Sequence, residues 1–145
     1  MYQYRQQIPS ELVGALREAL QPLIIRHGYS AHASFMSEVE ETKTVCAGLI
    51  PTLQTILPGP YGWFRLVGLQ PSQQIVAHRD PPIQAERYHL PLQSNPGCWT
   101  FHGGDWQRLE IGRLYRMNPA EEHGAVNWGE ILRVHLLIDA LDSPV

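Results

Sequence analysis

Apolar and polar residues follow two different rules along this chain, and the rule changes once. Leu12, Val13, Leu16, Ala19, Leu20, Leu23 and Ile24 fall at helical spacing. Ser10 after Pro9 offers an N-cap and Gly28 a stop, which predicts a helix between them, kinked or divided at Pro22. A second helical segment is predicted roughly from Phe35 to Ile56, interrupted by Pro51, with the run SEVEETK as a solvated face. After the break at Pro58-Gly59-Pro60 come short apolar runs: YGWFRLVGL, QQIVAHRD, ERYHLPLQ, GCWTFHGG, WQRLEIG, RLYRMN, HGAVNW and ILRVHLLID. Turn residues separate them, at Asp80-Pro81-Pro82, Asn95-Pro96-Gly97, Gly103-Gly104-Asp105 and Asn118-Pro119. This texture predicts a mainly β fold over residues 59–142, a sandwich or small barrel. The strand count fits a double-stranded β-helix, or jelly roll. The helices of residues 1–58 would pack on one of its sheets, all within a single domain spanning 1–145.

Composition narrows the function classes. The net charge is −3, and the basic residues are scattered arginines with Lys43 the sole lysine, so nothing favours a nucleic-acid surface. Cys46 and Cys98 stand far apart without a CxxC, which points to two idle thiols rather than a disulfide or a zinc site. No apolar run is long enough for a membrane span, and the first residues lack the pattern of a secretory signal, so a cytoplasmic location is expected.

Polar residues inside the strand-forming half carry the chemistry. His78 and Asp80 are two apart and share one side of an extended segment. His123 follows after the Asn118–Glu122 turn and completes a facial set of two imidazoles and one carboxylate if the chain folds back. That set suits Fe(II). Arg133 lies ten residues further on, in the apolar run ILRVHLLIDA. A guanidinium there is costly unless it meets a carboxylate, either an internal one such as Glu86 or Asp139 or that of a dicarboxylic cosubstrate. Alternation puts Arg133 and His135 on one face. Arg87 and His89 share a face in the same way and would help hold an acidic ligand, although alone they read as an exposed Arg and a structural His. His27, His32 and His102 read as surface or local structure, and Trp99, Trp106 and Trp128 as core or rim aromatics.

The segments HRDPP, RYHLPLQSNPGCW and EEHGAVNWGEILRVHLLID resemble the aspartyl/asparaginyl β-hydroxylase family of Fe(II)- and 2-oxoglutarate-dependent dioxygenases, over about residues 61–140. The resemblance implies iron ligation by His78 and His123. It also implies contacts to the cosubstrate 2-oxoglutarate from Arg87 and His89, and a clamp on its far carboxylate from Arg133. Vertebrate-type members lack a carboxylate two residues after the first His. Asp80 stands at that position here, so a full His78, Asp80, His123 set is expected, and halogenase chemistry is disfavoured. The implied activity is hydroxylation of an amino acid, a peptidyl residue or another small polar substrate, with release of succinate and CO2. A helical-repeat region of the kind that large members place beside a protein substrate is not expected here. The competing expectations are a cupin-like metal protein (isomerase or ligand sensor) without oxygenase activity, and a non-catalytic jelly-roll binding module.

Overall fold

The computed structural model describes residues 2–27, 34–36, 44, 46–55, 61–81 and 85–141. Along the chain run β1 (Gln3–Gln7), α1 (Ser10–His27), β2 (Ser34–Met36), a 3-10 turn (Cys46–Leu49) and α2 (Ile50–Gln54). Eight strands follow: β3 (Tyr61–Leu69), β4 (Gln74–His78), β5 (Ala85–Gln93), β6 (Cys98–His102), β7 (Asp105–Gln107), β8 (Arg113–Met117), β9 (His123–Asn127) and β10 (Arg133–Leu141). They form a six-stranded sheet in the order β1-β8-β5-β10-β3-β2 and a four-stranded sheet in the order β4-β9-β6-β7. The pairings are antiparallel. This is the expected mainly β double-stranded β-helix.

Strand β10 sits in the middle of the large sheet, and its alternation divides the molecule. Val134, Leu136, Ile138 and Ala140 join Phe64, Leu66, Tyr88, Leu90 and Leu92 in one buried cluster with Val13, Leu16 and Leu20 of α1. Cys46, Leu49 and Leu53 belong to the same cluster, so the helices cover one face of this sheet. Each Val, Leu, Ile or Phe side chain among them contributes about 1.5–3 kcal/mol on burial. Arg133, His135, Leu137 and Asp139 take the opposite face, toward the small sheet. A strand buried on both faces reads as a near-continuous apolar run, which is why ILRVHLLIDA shows its polar members only at every second position.

Three details differ from the sequence reading, and each has a physical reason. Gln3–Gln7 forms an edge strand paired with β8, although its side chains are exposed and carry no apolar alternation. Residues 1–58 are therefore not purely helical. Phe35, expected to begin a helix, lies in β2 opposite Val67, where a neighbouring strand overrides local propensity. Pro51 does not interrupt a helix; it occupies the first turn of α2, where the missing N–H has no partner to lose. The start of α1 agrees with expectation to one residue: the Leu12 and Val13 amides both donate to the Pro9 carbonyl at 3.0 Å. Pro22 lies within α1, which runs on to His27, and no division appears there. Gly28 and the whole of SEVEETK lie outside the described residues, as does Pro82 of the turn after Asp80. Among the described residues, no helix is long and apolar enough to cross a membrane.

Candidate metal centre

The β4–β9 pairing sets His78 directly opposite His123, after an irregularity between Ile75 and His78. The two ring centroids lie 4.4 Å apart. Asp80 follows just past the end of β4, and its amide donates to the Pro119 carbonyl at 2.9 Å, tying it to the turn that precedes β9.

The backbone selects the tautomer of both imidazoles. His78 Nδ1 lies 2.7 Å from the Val76 carbonyl and His123 Nδ1 2.8 Å from the Glu121 carbonyl. A carbonyl only accepts, so each Nδ1 carries a proton and donates it, which in the neutral ring leaves Nε2 as the bare lone pair. Those two Nε2 atoms face Asp80, His78 to Oδ1 at 3.4 Å and His123 to Oδ2 at 3.3 Å. One ligand atom from each of the three residues lies within 4.8 Å of the others. Two bare nitrogens against a carboxylate repel unless a cation sits among them. Burial lowers the His123 pKa, which disfavours a proton as that cation. Two nitrogens and an oxygen on one side, with backbone carbonyls orienting the rings, fit a divalent transition metal.

The two sheets enclose a cavity of about 350 Å3 that the three residues share with Tyr2, Arg87, His89 and Arg133. Arg133 is 2% exposed. Its Nη2 donates to His135 Nδ1 at 3.0 Å, while Nη1 is buried without a hydrogen-bond partner among the described residues. Neither Glu86 nor Asp139 neutralises it. Glu86 pairs with Arg116 at 3.3 Å. Asp139 takes Arg87, Nε to Oδ1 at 2.9 Å and Nη2 to Oδ2 at 3.1 Å. A buried guanidinium with an unmet donor calls for an anion. His89 Nδ1 lies 3.1 Å from His135 Nδ1. Burial, followed by the nearby Arg133 charge, holds both rings well below the usual histidine range, so both are neutral.

The six residues singled out from the sequence thus line one cavity, and the places of Tyr2, Arg65 and His102 were not foreseen. Tyr2 is buried edge-on to His89 at 5.1 Å, with its phenol pushed up to about 12 by burial. Strand β1 brings it there, and that strand carries no pattern by which it would be recognised. Arg65 of β3 also lines the cavity. Asp139 shares the cavity-facing side of β10 with Arg133, a placement that alternation alone implies. His102 is buried rather than at the surface: it points inward with Cys98 and Thr100 on β6, and its Nε2 lies 3.0 Å from the Asn118 carbonyl. Trp106 and Trp128 are exposed.

The family model for aspartyl/asparaginyl β-hydroxylases matches residues 28–143. The chain belongs to the aspartyl/asparaginyl β-hydroxylase family. No curated protein matches it in sequence. Among solved structures, this β-hydroxylase family member is similar to the non-heme alpha-ketoglutarate-dependent carbocyclase SnoK from nogalamycin biosynthesis. The TM-score is 0.69 at 9% identity, covering 99% of this chain and 79% of that one. It is also similar to AviO1 from Streptomyces viridochromogenes Tue57, with a TM-score of 0.67 at 13% identity, covering 99% and 90%. At these identities the likeness is one of fold.

Proposed function

We propose that this β-hydroxylase family member is an Fe(II)- and 2-oxoglutarate-dependent oxygenase acting on an amino acid, a peptidyl residue or another small polar substrate. The observation that carries the reading is the unmet Nη1 donor of Arg133, buried in the same cavity as the His78, Asp80 and His123 ligand set. A metal protein with no acidic cosubstrate has no use for an uncompensated guanidinium there.

In this reading His78, Asp80 and His123 hold Fe(II) through two Nε2 atoms and a carboxylate oxygen. Arg133 receives the far carboxylate of 2-oxoglutarate, with Nη2 already held by His135 so that Nη1 is aimed before the ligand arrives. Arg87 and His89 are the further cosubstrate contacts, and Tyr2 walls the pocket beside Arg133. Bound together, the metal and cosubstrate supply the oxidising chemistry, in which dioxygen is consumed, 2-oxoglutarate becomes succinate and CO2, and a substrate C–H bond is hydroxylated. The protein binds and orients the reactants, and the apolar walls from Ile75, Ala125 and Leu137 limit water at the site.

The test is an anaerobic titration of the apo-protein with Fe(II) and 2-oxoglutarate, following the visible charge-transfer band of the chelate. The band is expected in the wild type, with a markedly higher 2-oxoglutarate requirement in Arg133→Ala. Iron binding without the band would replace this reading with a cupin-like metal protein lacking oxygenase activity.

A further inference from the structure

Asp139 on β10 and Arg87 on β5 are cross-strand partners. The carboxylate takes the guanidinium side-on through Nε and Nη2, at 2.9 and 3.1 Å, and both side chains are largely buried. The third nitrogen, Nη1, lies 3.8 Å from Asp80 Oδ2, the same oxygen that lies 3.3 Å from His123 Nε2. Asp80 therefore stands between two possible owners, the metal centre on the small sheet and a guanidinium on the large one. Bidentate Arg–carboxylate pairing is the strongest geometry open to Arg87, and Asp139 supplies it. Without that partner, a largely buried guanidinium would need another anion. Asp80 Oδ2, already 3.8 Å from Arg87 Nη1, is a carboxylate within its reach.

We infer that Asp139 is a positioning residue for the metal site: it holds Arg87 side-on and so prevents that guanidinium from closing onto Asp80, which stays available to a divalent cation. The inference rests on the proposed ligand set and adds a residue that touches neither metal nor cosubstrate. It also gives the β5–β10 pairing a role in a centre built on β4 and β9.

The experiment is an anaerobic calorimetric titration of Fe(II) into the full chain, with thermal unfolding followed alongside. Asp139→Asn keeps the shape and removes the charge, and is expected to weaken Fe(II) binding by roughly 10- to 100-fold. Adding Arg87→Gln to Asp139→Asn removes the competitor and should recover most of that loss, a rescue that a merely structural role of Asp139 would not produce. Wild-type affinity in Asp139→Asn, or a double variant no tighter than Asp139→Asn, would overturn the inference. If Asp139→Asn fails to fold, Arg87→Gln alone decides. Fe(II) affinity at or above wild type supports the inference, and a clear loss overturns it. Failure of the underlying reading looks different: there, wild type and His78→Ala would bind Fe(II) equally poorly.

Discussion

His78 and His123 face each other as cross-strand partners, and each imidazole gives its Nδ1 proton to the carbonyl two residues before it. The centre thus depends on the register of a single strand pair. A slip of one residue between β4 and β9 would turn one imidazole to the opposite face of the sheet.

Gly124 guards that register. A Cβ at this position would meet the Ile75 carbonyl oxygen at 2.7 Å and the Ala77 backbone at 3.1 Å. These are main-chain atoms of β4 that cannot step aside singly. Gly124→Ala is expected to cost about 1–3 kcal/mol of stability and to weaken Fe(II) binding, because β4 must move away from His123. Urea unfolding and metal titration of the same variant check both effects; an unchanged metal affinity would show that the register does not govern the site.

The two ligand histidines should separate metal binding from folding. The His78 side chain is 43% exposed and packs into no core cluster. His78→Ala is expected to abolish measurable Fe(II) binding while changing apo-protein stability by no more than roughly 0.5 kcal/mol. His123→Ala should lose metal equally, with a larger stability effect because that ring is more deeply set. Equal stability losses in the two variants would contradict the burial argument.

Arg133 is held at a cost to the free protein. It is buried, bonded to a neutral His135 and left with an unmet donor. Arg133→Met fills similar volume without the charge, and is expected to leave apo-protein stability unchanged or raise it by about 1–4 kcal/mol, while 2-oxoglutarate binding is lost. The check is the unfolding midpoint with and without cosubstrate. Stabilisation by 2-oxoglutarate should appear only in the wild type.

The neutral pair His89 and His135 predicts a specific acid sensitivity. An unfolded histidine titrates near 6.5, whereas these two rings resist protonation in the folded chain. Below about pH 6.5 the unfolded state therefore binds more protons than the folded one. Stability is fully present above that value and falls as the pH drops, by up to about 1.4 kcal/mol per pH unit for each ring. His135→Gln retains an acceptor for Arg133 and should reduce that contribution to the acid slope to about one ring's share. Urea midpoints between pH 7.5 and 5 measure it.

Much of this was legible before any tertiary contact was known. Spacing decided α1, and alternation broken by turn residues located the eight strands from Tyr61 onward, because both signals arise within a few residues of chain. Alternation also put Arg133 and His135 on one face, and the resemblance carried by HRDPP, RYHLPLQ and EEHGAVNW named the family. Other features depend on partners distant in sequence. Strand β1 exists because β8 offers it an edge, and only that pairing carries Tyr2 into the cavity. Phe35 is extended because β3 lies beside it. Whether Arg133 would be neutralised by Asp139 was open in the sequence, since both side chains face the same way on β10. The fold decided it through the β5–β10 register, which sets Arg87 opposite Asp139 and leaves Arg133 without a carboxylate partner among the described residues. Charge pairing in a buried site is settled by a few ångströms, and those distances are fixed by which strands become neighbours.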